Sequence, residues 1–264
     1  MKYLLLIVIT LWLNKIEPEQ IEVEGFMIEY EIKGRGEHTI LLEGGARAGL
    51  SDWDSIFDKL SGSYRVIRYA RVGNGNSTQV KRHFTSLEYA TYAYKLLEKL
   101  GVKSSVVLVA HSYGGNIARD FSASYPAKVK GLLLLDPSSE HDVDIMRSID
   151  LEKANKEIAA IKLADMAEGM SNNYLDFWSK RPLPDYPQIP NIPVTVIASV
   201  RKSEHPSNLF FSDEGRKRWG EHWKNWAQEF PKGKAVLTEE SGHFIQIDQS
   251  QLVIKELHSL VESL

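Results

Sequence analysis

Short apolar runs alternate with amphipathic stretches along most of the chain. The amphipathic stretches, typical of helices, lie at Asp52 to Leu60, Thr85 to Leu100, near Ser212 to Phe230, and from about Asp248 to Leu260. The apolar runs are IEVEG, FMIEYEI, TILLEG, YRVIRY, SVVLVA, GLLLLD, PVTVIAS and KAVLT. Continuous β-branched runs separated by helices indicate an α/β fold with a mostly parallel, twisted sheet covered by helices on both faces. The first two strands are expected to form an antiparallel hairpin.

One strand-to-helix junction carries a serine in its turn. The stretch from Val106 to Phe121 reads VVLVAHSYGGNIARDF, which predicts a strand, a tight turn around Ser112 and a helix beginning near Gly114. Such a turn strains the serine backbone and presents its hydroxyl at the carboxyl edge of the sheet, beside the N-terminus of the helix. The pattern alone is weak, because ordinary strand-to-helix caps also use serine and small residues.

The N-terminus has an unusual apolar run. Lys2 precedes an apolar stretch from Tyr3 to Leu13, the order of a secretory signal, but no small-residue cleavage site follows. The run is short for a membrane span. We therefore separate residues 1–19 as a signal-like or anchor segment, or as an extra segment packed on a domain formed by 20–264. Membrane attachment through this segment stays open, and so does the location: secreted, periplasmic or membrane-tethered if it is a targeting segment, otherwise cytoplasmic.

Composition narrows the function classes. With 264 residues and 43% hydrophobic content, the chain is long enough for one large domain with a buried core. A formal charge of −3 gives no basic field for nucleic acid. The absence of cysteine excludes disulfides, thiolate zinc sites and cysteine nucleophiles. A small molecule is the expected partner, and the oligomeric state stays open.

The motif AHSYGG resembles the nucleophile elbow of the α/β-hydrolase superfamily, with Ala110 where that family more often has glycine. The resemblance extends from about Ile21 to Leu264. It implies an α/β-hydrolase fold in which Ser112 is the nucleophile.

A second motif, LLEGGARAGLSDW, is similar to the glycine-containing loop that follows the third strand in this family. The resemblance implies that the backbone N–H groups of Ala46 and Tyr113 form the oxyanion hole. A shift of one residue toward Gly44 and Gly45 stays open.

The C-terminal stretch TEESGHFIQIDQSQLVIKEL resembles the segment that carries the family's catalytic base, which implies that His243 is the base. His111 is next to the serine, but neighbours on a tight turn point apart, so we expect it to pack or hydrogen-bond beneath the elbow. Surface positions are expected for His38, His83, His141, His205, His222 and His258.

The acid has two candidates. Asp136 directly follows the sixth predicted strand, a position at which some haloalkane dehalogenases of this fold carry their acid. After the seventh strand the only carboxylate nearby is Glu204, several residues further on. We favour Asp136; if it only caps its strand beside Pro137, Glu204 takes the role.

A long insertion follows Asp136. In this superfamily such an insertion resembles the helical cap over the active site, and we place it at about 137–192. The larger side chains of this insertion either line an apolar substrate pocket or pack the cap onto the core. These side chains are Met146, Met166, Met170, Tyr174, Phe177 and Trp178.

A tryptophan series precedes the last predicted strand. Trp219, Trp223 and Trp226 fall at spacings of a single helix face, so we expect them to pack in the core. The charges of the surrounding stretch GRKRWGEHWK are expected to form a solvated face.

Together these residues predict a serine hydrolase of the carboxylesterase type that cleaves a small or medium ester or amide through an acyl-enzyme, with no metal or cofactor. A serine at the elbow argues against dehalogenase or epoxide-hydrolase chemistry, which needs a carboxylate nucleophile. A carbon–carbon hydrolase or an acyltransferase would use the same triad. A ligand-binding or sensing protein with little turnover is the alternative from a different class.

Overall fold

The computed structural model describes residues 18–82, 84–167, 188–230 and 232–264. Within these ranges, eight strands form one sheet in the order β1-β2-β4-β3-β5-β6-β7-β8. Strands β1 and β2 form an antiparallel hairpin, β2 also runs antiparallel to β4, and the remaining pairs are parallel, as the apolar runs predict. The strands are β1 (Glu19–Val23), β2 (Phe26–Lys33), β3 (Thr39–Glu43), β4 (Arg65–Tyr69), β5 (Val106–His111), β6 (Val129–Leu135), β7 (Val194–Ser199) and β8 (Lys234–Thr238).

Helices follow most of the strands and cross back over the sheet. They are α1 (Asp54–Ser61), α2 (Ser86–Lys99), α3 (Gly114–Ser124), α4 (Asp142–Ile149), α5 (Leu151–Ala167), α6 (Asp213–Gln228), α7 (Ile245–Asp248) and α8 (Ser250–Glu262). The start of α2 shows why it begins where it does, since Thr85 and Glu88 form a reciprocal capping box. The helical stretch predicted from Asp248 is preceded by the short α7.

The core lies on both faces of the sheet, because side chains alternate along each buried strand. In β5, Val106 and Leu108 join the cluster under α2, α3 and α6. Val107 and Val109 point to the other face and join the cluster under α1 and α8. The expected α/β architecture, with helices covering both faces of a mostly parallel sheet, is confirmed.

The insertion between β6 and β7 begins with α4 and α5. Met146 is buried between them with Val143, Ala154 and Ile158, and Leu209 from the segment before α6 closes this cluster. Met146 therefore occupies a packing position. Of the other proposed pocket residues, the side chain of Met166 and the whole of Met170, Tyr174, Phe177 and Trp178 lie outside the described residues.

The N-terminal apolar run lies outside the described residues, which begin at position 18. Among the helices that the structure does describe, none combines the length and the apolar character needed to cross a bilayer.

Helix α6 packs its tryptophans as expected. Trp219, Trp223 and Trp226 are buried, and their rings meet edge to face at centroid distances of 5.6 and 5.2 Å. Such contacts add to the stabilisation that burial of the large indole surfaces provides. This helix is therefore anchored to the sheet through one aromatic face.

Replacing the central tryptophan tests this anchor. We expect Trp223→Ala to lower the free energy of unfolding by about 3–5 kcal/mol, because it leaves a large cavity at a fully buried position. The neighbouring Lys224 is exposed, so Lys224→Ala should change the value by less than about 0.5 kcal/mol. Urea unfolding of both variants provides the measurement; similar small losses in the two would contradict the assignment.

Candidate active site

Ser112 occupies a strained turn between β5 and α3. Its φ is +53°, in the left-handed region that a residue with a side chain seldom adopts. Hydrogen bonds hold the turn on both sides: the Ser112 N–H donates to the Leu135 carbonyl at 3.1 Å, and the Gly115 N–H donates to the Ser112 carbonyl at 2.8 Å. The junction therefore holds the serine at the carboxyl edge of the sheet, as the sequence predicts.

Glycines allow the loop after β3 to lie directly against this turn. A Cβ atom on Gly114 would approach the carbonyl oxygens of Glu43 and Gly44 to 2.5 Å, too close for any side chain. A Cβ atom on Gly45 would lie 3.2 Å from the Cβ of Ser112. The backbone that carries Ala46 is thus packed beside the serine, and Tyr113 is buried where α3 begins.

His243 connects the serine to an acid. Its Nε2 lies 2.9 Å from Ser112 Oγ, and its Nδ1 lies 2.8 Å from Asp136 Oδ2. An ionised carboxylate only accepts hydrogen bonds, so Nδ1 carries the proton and Nε2 presents its lone pair to the serine hydroxyl. The structure brings together Ser112, His243 and Asp136, from three separate segments of the chain.

The loop that carries His243 is held by its neighbours. Asp248 accepts a hydrogen bond from the Gly242 N–H at 2.8 Å, which ties the loop to α7. The Ser199 hydroxyl at the end of β7 donates to the Ser241 carbonyl at 2.7 Å. Both bonds limit the positions available to the imidazole.

Asp136 is buried and surrounded by donors. Its Oδ1 accepts from the Ser199 N–H at 2.9 Å, from Arg216 Nη2 at 2.8 Å and from Trp219 Nε1 at 3.2 Å. Burial raises the pKa of this carboxyl, but the Arg216 charge and the hydrogen bonds from His243 and Ser199 outweigh it and lower the pKa to about 2. Asp136 is therefore a carboxylate at every ordinary pH.

The structure corrects the prediction that the charges of GRKRWGEHWK form a solvated face, because Arg216 is buried. It is 3% exposed, and besides Asp136 its Nη2 donates to the Ser199 carbonyl. Its guanidinium also lies 5.5 Å from the Trp219 ring centroid. The physical reason is helical spacing: Arg216 precedes Trp219 by three residues and shares its buried face. That spacing was the available signal.

His111 supports the imidazole from below. Its buried Nε2–H donates to the backbone carbonyl of His243 at 2.9 Å, and the two rings are 4.7 Å apart. Burial, followed by the proximity of His243, lowers the pKa of His111 to about 3, so this ring stays neutral. The expected hydrogen bond beneath the elbow is present. His222, expected at the surface, is instead half-buried against Trp223.

A buried ion pair supports the loop after β3. Arg71 pairs with Glu43, and its Nη1 and Nη2 also donate to the carbonyls of Gly44 and Gly45 at 2.7 and 2.5 Å. Tyr69 donates a further hydrogen bond to Glu43. Burial raises the pKa of Glu43, and the contacts with Arg71 and Tyr69 oppose this rise. The backbone beside Ser112 is therefore held from beneath by a charged network that the sequence did not reveal.

Glu204, the alternative acid, lies elsewhere. It is exposed in the loop after β7, and among the described residues it forms neither a hydrogen bond nor an ion pair. It borders a cavity beside His243 together with Arg201 and Lys202. The hydrogen bond from the imidazole Nδ1 is accepted by Asp136.

Comparison with known proteins identifies the fold family of the chain. A family profile described as alpha/beta hydrolase fold matches residues 38–179, more than half of the chain. The chain belongs to the alpha/beta hydrolase family. An esterase of Thermogutta terrifontis shares the fold of this alpha/beta hydrolase with a TM-score of 0.65 at 18% identity, covering 94% of this chain and 98% of the esterase.

Two curated relatives show the range of this hydrolase family. The proline iminopeptidase PfmaB of Pestalotiopsis fici is 22% identical over 92% of this chain and 99% of its own length. The dihydrolipoyllysine-residue acetyltransferase component of the acetoin cleaving system of Cupriavidus necator is 28% identical over 44% of this chain. That match covers 31% of the relative, and the chain spans well under half the length of the curated relatives it matches at 28–29% identity.

The lowered pKa of Asp136 makes stability depend on pH. Its carboxylate stabilises the folded state above the ordinary aspartate pKa of about 3.9, and this contribution is lost as pH falls toward about 2. We expect the free energy of unfolding of wild type to exceed that of Asp136→Asn by about 2 kcal/mol at pH 6. This difference should shrink between roughly pH 4 and 2. Urea unfolding across this range provides the measurement. A difference that stays constant down to pH 2 would show that the charge does not stabilise the fold.

Proposed function

We propose that this alpha/beta hydrolase is a serine hydrolase that cleaves a small or medium carboxylic ester, or an amide, through an acyl-enzyme on Ser112. The observation that carries the proposal is the hydrogen-bond chain from Ser112 Oγ through both nitrogens of His243 to Asp136 Oδ2. A serine hydroxyl is a weak nucleophile until an adjacent base removes its proton, and this chain supplies that base.

Acylation begins when His243 Nε2 removes the Ser112 proton. The serine oxygen forms a bond to the carbonyl carbon of the substrate, and the π electrons of the carbonyl move to its oxygen. When that oxyanion collapses, the bond to the leaving group breaks and His243 gives its proton to the departing oxygen or nitrogen. The alcohol or amine leaves, and the acyl group stays on Ser112.

Deacylation repeats these steps with water. His243 removes a proton from water, the hydroxide attacks the acyl carbon, and the proton returns to Ser112 Oγ as the ester bond to the enzyme breaks. The free carboxylic acid is released. No group besides the residues of this chain and water enters the balance.

The backbone N–H groups of Ala46 and Tyr113 are proposed to hold the oxyanion in both halves of the reaction. Support comes from the packing of the loop after β3 against the serine turn and from the position of Tyr113 at the start of α3. Fixed N–H groups at such a place are effective because they need no reorganisation as the negative charge develops.

Asp136 is proposed to fix the tautomer of His243 and to stabilise its cation. The carboxylate enters the reaction already ionised, with Oδ2 directed at the imidazole and Oδ1 occupied by three donors. A group held at this many points orients a base better than an exposed loop carboxylate such as Glu204.

Replacing the nucleophile tests the mechanism. We expect Ser112→Ala to lower kcat for p-nitrophenyl esters by about 10⁶-fold, because the triad loses most of its rate with its nucleophile. A fluorophosphonate probe should label wild type at Ser112 and leave the variant unlabelled. Retention of more than a few per cent of the activity would remove the serine mechanism, and a wild type that binds the probe without turning over esters would favour a sensing protein.

Replacing the two carboxylates tests the acid. Asp136→Asn should lower kcat by about 10⁴-fold, since it removes the charge that stabilises the imidazolium and fixes its tautomer. Glu204→Gln is the matched control and should cost less than about twofold, because among the described residues no hydrogen bond or ion pair connects its side chain to His243. Both are assayed on the best p-nitrophenyl ester, with thermal melts to confirm folding. An inactive Glu204→Gln beside an active Asp136→Asn would reverse the assignment.

A further inference from the structure

Two strained turns lie side by side at the carboxyl edge of the sheet. Ser112 follows β5 with a φ of +53°, and Asp136 follows the neighbouring strand β6 with a φ of +37°. The left-handed region is costly for a residue with a side chain, and such a conformation persists only where the surroundings hold it. One of these turns carries the proposed nucleophile and the other carries the proposed acid.

Hydrogen bonds connect the two turns in both directions. The Ser112 N–H donates to the carbonyl of Leu135, directly before the acid, at 3.1 Å, and the Ser112 carbonyl accepts from the Ser138 N–H at 3.0 Å. Pro137 lies on the first turn of α3, where a Cβ atom on Gly115 would approach the Pro137 Cβ to 2.6 Å. Both backbone polar groups of the nucleophile are therefore bound by residues that flank the acid.

A buried polar chain holds the segment after the acid against α3. Ser138 Oγ donates to Asn116 Oδ1 at 2.6 Å, and Asn116 Nδ2 donates to Glu140 Oε1 at 3.2 Å. Arg119 Nη2 donates to Glu140 Oε2 at 2.9 Å and forms an ion pair with it. Asn116 and Arg119 belong to α3, and each of these four residues is at most 9% exposed. Glu140 thus ties its own segment to two side chains of the helix behind the nucleophile.

The carboxylate of Glu140 determines the polarity of this chain. A carboxylate only accepts hydrogen bonds, so Asn116 directs its amide nitrogen at Glu140 and its amide oxygen at Ser138. The Ser138 hydroxyl then donates to that oxygen, while the Ser138 N–H donates to the carbonyl of Ser112. The contact between the two turns therefore depends on a charge that lies two hydrogen bonds away from Ser138.

We infer that Glu140 is a positioning residue of the active site, which through Asn116 and Ser138 fixes the turn of the acid against the turn of the nucleophile. The inference rests on the proposed serine hydrolase function and adds a residue to its machinery. Stability of the fold does not require this arrangement, because apolar side chains in place of a buried ion pair are often as stabilising. The polar chain instead selects one position for the segment after Asp136.

His243 is the reason why this position matters. Its rigid ring connects Ser112 Oγ at 2.9 Å to Asp136 Oδ2 at 2.8 Å, so a change in the separation of these two oxygens lengthens or breaks one of the bonds. A misplacement of about 1 Å at a catalytic group can lower the rate by about 10²-fold. A looser contact between the turns should therefore lower kcat and leave substrate binding nearly unchanged.

Two substitutions of the same kind separate positioning from stability. Glu140→Gln keeps the shape of the side chain but removes the charge, and its amide N–H group then faces a donor of Asn116 or Arg119. Glu31→Gln is the matched control, because Glu31 is 8% exposed and forms an ion pair with Arg68 at 2.6 Å. Glu31 lies on β2, three strands away from β5 in the sheet.

We expect Glu140→Gln to lower kcat for p-nitrophenyl esters by about 10- to 100-fold, with KM within about twofold of wild type. Glu31→Gln should keep both constants within about twofold. Rates are divided by the active sites that a fluorophosphonate titrates, so that unfolded protein does not contribute. A kcat of Glu140→Gln as close to wild type as that of Glu31→Gln would overturn the inference and leave the serine mechanism intact.

Joint replacement of the ion pair covers the case in which Glu140→Gln does not fold. Arg119→Met combined with Glu140→Leu fills the same space with apolar side chains, a change that folds tolerate well. It removes the carboxylate that orients Asn116, so kcat should fall by a similar factor. A folded double variant with the kcat of wild type would overturn the inference.

A proton signal tests the geometry without turnover. The Nδ1–H of His243, hydrogen-bonded to the Asp136 carboxylate, should give a low-field proton resonance that is absent in His243→Gln. Glu140→Gln should shift or broaden this resonance, and Glu31→Gln should leave it unchanged. If wild type cleaves no ester, the serine hydrolase proposal fails separately and this resonance decides the role of Glu140. An unchanged resonance in Glu140→Gln then overturns it.

Discussion

The buried carboxylate of Asp136 is the group on which the site depends. Oxygen atoms in the interior lose their water, so a carboxylate stays ionised there only when protein donors replace it. Here the donors come from the end of β7, from α6 and from the loop after β8. Each of these elements must reach its place before the carboxylate is satisfied. The electrostatic requirement of one side chain thereby links the positions of distant parts of the chain.

The donors that keep Asp136 ionised also affect how strongly its carboxylate can stabilise a positive charge on the imidazole. Arg216 shares the carboxylate with His243, so the negative charge is divided between the guanidinium and the imidazole ring. The arginine holds the acid ionised and fixed in orientation, but it also reduces the charge available to an imidazolium. Asp136 therefore orients the imidazole firmly but stabilises its cation less than an unshared carboxylate would. Trp219, a core residue by its spacing, adds its indole N–H to the same oxygen.

Much of the fold was predictable because buried parallel strands have a local signature of short β-branched runs. The places of Ser112 and Asp136 were also predictable, since each directly follows a strand at the carboxyl edge of the sheet, and His243 was predicted from the resemblance of its motif to the family's C-terminal segment. For Arg216 the spacing from Trp219 indicated burial, but its pairing with Asp136 was not predictable, because this partner lies 80 residues away along the chain. The Arg71 network was missed for the same reason. Pairing of buried charges is a property of the tertiary structure.

The buried pair of Glu43 and Arg71 has a consequence for how this site can evolve. Loss of either partner alone leaves an uncompensated charge in the interior, at a cost of about 3–5 kcal/mol. Joint replacement by apolar residues can be nearly neutral for the fold, but it would remove the donors that hold the carbonyls of Gly44 and Gly45. A single substitution at either position is therefore selected against. A lineage that abandons the pair must change both codons and find another support for the loop, so the pair forms an epistatic unit.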